Sequence, residues 1–185
     1  ALRVASLEVV ARDLPSLDDP ALRGAAELEL GEGLAASGRA HEALVRTRSA
    51  VDTLALGGDA ALHGRALCVL AGSLARAGLV AEAQHGVGRA LAVAARLGHG
   101  ALRFGSLAAT AEVAEAQGEF LAASERFHEA VEVAAAQGLA QDEARMAARS
   151  ALAALAGGDL DGAIARAGEA VTLSRRQRRD TLVQL

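Results

Sequence analysis

Apolar positions in this chain recur with helical spacing, and the whole pattern then recurs at a fixed distance. Leu67, Leu70, Ala71 and Leu74 fall at i, i+3, i+4 and i+7, the stripe that one face of an amphipathic helix turns toward a core. A second stripe follows in Ala83, Val87, Ala90, Leu91 and Ala94. The same columns return one period later as Ala123, Phe127, Ala130, Val131 and Ala134. Between the stripes stand glycines in two 40-residue ladders: Gly38, Gly78, Gly118 and Gly158, and, half a period away, Gly58, Gly98 and Gly138. Glycine just past a helix end can take the left-handed conformation that closes it. One ladder therefore ends the first helix of each pair and the other ends the second. The pattern predicts first helices over 20–37, 59–77, 99–117 and 139–157, and second helices over 40–56, 80–97, 120–137 and 160–178.

A fixed period of 20–50 residues is the mark of a solenoid, in which each unit buries its apolar face only against its neighbours. Two alanine columns carry the contact points of the second helices: Ala43, Ala83, Ala123 and Ala163, then Ala50, Ala90, Ala130 and Ala170. Alanine there lets backbones approach closely, and the larger residue at Val87 or Phe127 fills the remaining gap. The expected architecture is an all-α superhelix in one domain, 1–185, with helix pairs at 20–57, 59–97, 99–137 and 139–178. Leu7, Val10, Ala11 and Leu14 land on the second-helix column, so 1–17 reads as half a repeat. Pro15 and Pro20 bracket the link that follows. Leu182 continues the series Leu22, Leu62 and Leu102, which Asp142 interrupts, so 179–185 reads as the start of a further repeat. With its only methionine at Met146, the chain is expected to be a piece of a larger protein.

Composition narrows the function classes. Tryptophan and tyrosine are absent and phenylalanine occurs 3 times, too few large rings for one deep core. The net charge of −4 without a dominant charged block gives no bulk attraction to nucleic acid or membrane. Lysine and asparagine are missing and there is one isoleucine, a codon bias that points to a GC-rich bacterial genome. The lone Cys68 excludes an intramolecular disulfide and fits a reducing cytoplasm. No stretch has the apolar length needed to cross a bilayer.

Candidate chemistry is sparse. The run GEGLAASG, residues 31–38, has neither the G-x-G-x-x-G spacing nor a preceding strand, and a Walker A motif needs a lysine the chain does not have. His41, His63, His85, His99 and His128 include no i, i+4 pair to clamp a metal. Cys68 lies mid-helix and reads as a small packed residue. The cluster RRQRR, residues 175–179, is accounted for by cations at a helix C-terminus. Without interleaved aromatics it argues against nucleic acid. No catalytic residue, cofactor site or metal set can be assembled, so an enzyme is not expected.

The order of small residue, Leu, then Gly-x-x-x-Glu-Ala with a second Ala seven residues on resembles the tetratricopeptide repeat over nearly the whole chain. The family's small first-helix positions map to Gly31, Ala71, Ala111 and Ala151. Its Trp position carries Glu27, Leu67, Leu107 and Ala147, its Tyr position Leu34, Leu74, Ala114 and Ala154, its closing proline is missing, and the period is 40 rather than 34. In these departures the chain is similar to the repeat arrays of large bacterial transcription activators of the maltose-regulator type. HEAT repeats share the period, but the glycine–alanine turn argues against them.

The resemblance implies a right-handed superhelix whose first helices line a concave groove. Carried over, the groove positions are Ala25, Leu28 and Glu32; Arg65, Cys68, Gly72 and Arg76; Ala108, Glu112 and Glu115; and Arg145, Arg149 and Leu152. They make a shallow surface banded by alternating charge, without the lysine–asparagine clamp of chaperone-tail-binding relatives. The charges either meet a partner or pair across neighbouring repeats. The implied function is a non-catalytic interaction scaffold for a protein or peptide, as a sensor or relay module of a multidomain regulator. The alternative is an effector-sensing domain that holds a small molecule or short signalling peptide in the groove. Self-association through uncapped ends, where Leu182, Val183 and Leu185 lie, is a further expectation.

Overall fold

Capping and turn chemistry set where each helix starts and stops. The computed structural model describes residues 9, 18–57 and 59–183. Its helices are α1 (Pro20–Ala36), α2 (Ala40–Ala55), α3 (Ala60–Arg76), α4 (Val80–Leu97), α5 (Gly100–Ala116), α6 (Phe120–Ala136), α7 (Ala140–Ala156) and α8 (Leu160–Val183), with no strand among the described residues. The Asp19 carboxylate accepts from the Ala21 and Leu22 amides at 2.8 and 3.3 Å, and Pro20 opens α1 where its missing N–H costs nothing. Asp59 does the same for α3, accepting from the Ala61 amide at 2.7 Å.

The turns between paired helices share one geometry. After α3, the Gly78 amide donates to the Ala75 carbonyl at 3.0 Å and the Leu79 amide to the Leu74 carbonyl at 2.9 Å. This is the paired bonding of a left-handed helix cap. Gly78 sits at φ +77°, where a side chain would be strained. The same two bonds recur after α1, α5, α6 and α7. Every described glycine of the two ladders has positive φ, and Gly58 lies outside the described residues.

Turns this short force successive helices into antiparallel contact, and the chain stacks as hairpins α1–α2, α3–α4, α5–α6 and α7–α8. The alanine columns do the expected work: Ala43, Ala83 and Ala123 are buried in the hairpins, as are Ala50, Ala90 and Ala130. Between hairpins the stacking is uneven. Helix α3 packs along α5, whereas α1 barely reaches α3, and α7 leans on α6 rather than on α5. A pair of serines bridges α6 and α7. Ser124 Oγ donates to the Ser150 carbonyl and Ser150 Oγ to the Ser124 carbonyl, each at 2.7 Å, and both residues are buried. Arg166 of α8 also donates to Ser124 Oγ.

Three expectations need correction or restriction. Leu91 was placed in the core stripe beside Ala90, but it is 42% exposed, while Val51 and Val131 in the same column are 4% exposed. Helix α8 does not end at 178. The glycine ladder is broken there by Arg178, and the helix runs on to Val183, so 179–183 prolongs α8 instead of opening a further repeat. The half-repeat read at 1–17 lies outside the described residues apart from Val9. Phe127 has no exposed surface and joins Phe104, Met146 and the alanines of α5 to α7 in one cluster. Phe127→Ala is expected to cost about 3–5 kcal/mol and Leu91→Ala less than about 0.5 kcal/mol in urea unfolding. Equal losses would contradict the packing described.

Candidate groove surface

On the first helices, the residue types alternate so that an acid on one hairpin faces a base on the next. Glu29 and Glu32 of α1 both accept from Arg65 of α3, at 2.8 and 2.6 Å. Glu112 of α5 is shared between Arg76 of α3 at 2.7 Å and Arg149 of α7 at 2.6 Å, and Arg149 also holds Glu115. Gly72 makes room for this arrangement, since a Cβ there would lie 2.1 Å from a Glu112 oxygen. Arg149 further lies over the Phe127 ring, 4.5 Å from its centroid. Burial alone would pull the Arg65 and Arg149 guanidinium pKa values down. The carboxylates beside each more than reverse that, and both end above the usual arginine value.

The inter-hairpin pairs form two groups, one around Arg65 and one around Glu112, and six of the ten groove candidates take part in them. Glu32, Arg65, Arg76, Glu112, Glu115 and Arg149 pair across neighbouring hairpins. Arg145 is paired within its own helix to Asp142 at 2.6 Å and is the most exposed of the arginines in these pairs, at 63% of its side chain. Leu152 is open to solvent. Leu28 and Cys68 do not line the groove. Leu28 is fully buried against α2 and α3, and Cys68 lies beneath α5, with its Sγ 3.5 Å from Ser106 Oγ. A helix whose stripe is wider than the family's small-residue positions turns these two inward. Burial pushes the Cys68 thiol pKa up, only partly offset by the Ser106 hydrogen bond. That makes it a poor nucleophile.

Other polar residues surfaced only in three dimensions. Glu27, at the family's Trp position, accepts from Ser49 Oγ at 2.8 Å and Thr53 Oγ1 at 3.3 Å on α2, so a polar clasp replaces an aromatic plug. Nothing in the spacing of Ser49 and Thr53 distinguishes them from surface residues. The buried Nε2 of His63 has no hydrogen-bond partner. Burial first, then Arg89 and Arg96, lower its pKa. Among the described residues no group of three His, Cys, Asp or Glu could hold a metal, and no helix is long and apolar enough to cross a membrane.

No known family's sequence model matches this chain, and no curated protein matches it in sequence. Solved structures do match in shape. A Rap protein complexed with competence and sporulation factor superposes with a TM-score of 0.83 at 13% identity, over 96% of this chain and 50% of that one. Aspartyl phosphate phosphatase F from Bacillus subtilis gives 0.73 at 12% identity, over 92% and 45%. A putative kinesin light chain from Podosopora anserina with TPR-like repeats gives 0.64 at 21%, over 95% and 87%. The chain spans about half the length of the Rap protein and of the phosphatase.

Two outcomes follow. Glu112→Gln, which disturbs two inter-hairpin pairs, is expected to lower the urea midpoint more than Glu42→Gln, which disturbs the pair with Arg39 three residues away. The gap should narrow as NaCl is raised. For His63, the unfolded chain binds the proton more readily than the folded one, so stability falls as pH drops below about 6.5. His63→Gln should flatten that part of the stability–pH profile, and an unchanged slope would clear His63 of the effect. The fold is a right-handed αα-superhelix of the tetratricopeptide-like kind, the class its repeat pattern announces.

Proposed function

We propose that this chain is a non-catalytic protein-interaction scaffold whose concave first-helix face receives a protein or peptide segment. In this reading it serves as a sensor and relay module of a multidomain bacterial transcriptional regulator. The observation that carries the scaffold reading is the repeat superhelix itself, matched over 96% of its length to a protein crystallised with a bound factor. A stack of hairpins offers a long, pre-shaped surface. The inter-hairpin ion pairs support the same reading, because they tie neighbouring first helices together while Leu152 stays exposed. The bacterial setting rests on the arginine-only basic composition, and the regulator role on the 40-residue period.

A second reading, an effector-sensing domain that holds a small molecule or signalling peptide, is favoured by the factor bound in the Rap structure. Affinity capture from a bacterial lysate, comparing the unaltered chain with Arg65→Glu and Arg145→Glu, separates groove binding from other modes. The groove reading expects capture of a specific protein to fall sharply in both variants, and undiminished capture would remove the groove. Thermal denaturation against candidate effectors tests the second reading. A ligand at about 100 times its Kd should stabilise the fold by about 2.7 kcal/mol.

A further inference from the structure

The second helices carry a stripe of their own, and its charge changes sign along the chain. On α4 it is His85, Arg89, Ala92 and Arg96, at i, i+4, i+7 and i+11 of one helix face and all exposed. The same columns on α6 hold Glu125, Glu129, Glu132 and Ala136. Between Glu82 and Glu112 the sequence has no acid, and among the described residues Arg89 and Arg96 stand in no ion pair. Packing fixes where the α4 stripe points. A Cβ on Gly86 would meet Ala71 at 3.3 Å and one on Gly64 would meet Val93 at 2.9 Å, so positions 86 and 93 face α3. Val87, clustered with Ala109 and Val113, faces α5. The stripe lies about a quarter turn from the α3 contact, on the side away from α5. On that side Glu82 takes Arg48 of α2 at 2.5 Å. Helix α3 packs against both α2 and α4, which do not pack along each other, so it floors a cleft between them.

His63 of α3 stands in that floor, next to the Gly64 contact with α4. Its buried Nε2 has no hydrogen-bond partner, and burial, then the nearby charges of Arg89 and Arg96, lower its pKa. The acid one turn before it, Asp59, is engaged by the Ala61 amide. A buried polar nitrogen without a partner is costly, and an acceptor brought from outside removes the cost. Seven residues of helix set Arg89 and Arg96 about 10 Å apart along the axis, so a run of carboxylates meets both with each side chain extended. A nucleic-acid backbone fits less well. Neither α2 nor α4 has an aromatic ring to stack a base, and the acidic α6 stripe and the net charge of −4 repel a long polyphosphate. We propose that an acidic segment of a partner protein lies along α4 in the α2–α4 cleft, with carboxylates on Arg89 and Arg96 and one oxygen accepting from His63 Nε2. This surface goes beyond the groove reading, since it lies between second helices, and its occupant is independent of whatever the first-helix face receives.

The probe is a fluorescein-labelled peptide alternating glutamate and alanine, about ten residues long so that it covers α4 when extended. Anisotropy titration with the full chain at low salt should show saturable binding that weakens as NaCl rises and is lost in a glutamine–alanine counterpart. Arg89→Gln combined with Arg96→Gln, both at exposed positions, should weaken it about tenfold or more. His63→Phe, which keeps a ring without the nitrogens, should also weaken it, with helicity and melting checked in every variant. Arg39→Gln combined with Arg126→Gln, the same loss of charge elsewhere, should leave it unchanged. Absence of saturable binding overturns the proposal, and so does affinity unchanged in the Arg89 and Arg96 double variant or in His63→Phe. An equal loss in the Arg39 and Arg126 double variant overturns it too, since net charge alone would then be read. Single-stranded DNA binding more tightly through the same arginines would make nucleic acid the occupant and overturn it. Sedimentation showing a dimer that Arg89→Gln and Arg96→Gln dissociate would make the acidic α6 stripe of a second copy the occupant and overturn it as well. None of these results bears on capture by the first-helix face, which Arg65→Glu and Arg145→Glu test separately.

Discussion

No helix in this protein can bury its apolar stripe alone, and the structure depends on how closely its neighbours can come. That closeness is set by side chains of one carbon or none. Ala71, Ala111 and Ala147 are buried without remainder in the first helices, as are Ala50, Ala83 and Ala123 in the second. Gly31 shows the limit, since a Cβ there would stand 2.6 Å from Thr47 Oγ1. Close backbones give many small van der Waals contacts in place of a few large ones. That is how a chain with 3 phenylalanines and no tryptophan or tyrosine assembles a continuous core. The large side chains it does have are spent at single points, with Phe127 plugging the space between α5, α6 and α7.

The polar layer obeys the same neighbour-only logic. Each ion pair along the first helices is weak by itself at such exposure. Sharing changes that: Glu112 answers to α3 and α7 at once, so displacing one hairpin disturbs both pairs. Where α5 and α7 stand apart, the long Arg149 side chain spans the gap and rests on Phe127, joining the Glu112 group to the core beneath it. The hydroxyl pair Ser124 and Ser150 bridges α6 and α7.

The order of the described helices, and their ends except that of α8, were legible in the sequence because glycine and alanine repeat at one interval, and both carry direct backbone consequences. Gly78 and Gly138 could be read as turns since few other residues accept their φ. Less was legible about which stripe residue faces inward when a helix is only half covered. Leu91 shares a column with Val51 and Val131, yet those two are buried and Leu91 is not. The groove was legible as a list of charges but not as pairs. Alternating signs left open whether the charges meet a partner or pair across hairpins, and the sharing of Glu112 depends on side-chain reach. Leu28 and Cys68 face inward because the covered face of their helices extends further around than the family's groove positions imply. Ser124 and Ser150 gave no signal, since serine in a helix reads as solvent-facing until another backbone arrives.

The reciprocal serine bonds reach beyond their own crossing. Where they tie α7 to α6, α7 stands away from α5, so the step from the third hairpin to the fourth is unlike the step from the second to the third. A spiral staircase whose treads are set unevenly no longer looks the same from every landing. A segment lying along the inner wall would meet side chains at an irregular spacing, and could settle in only one alignment where a uniform spiral would let it slide by one unit.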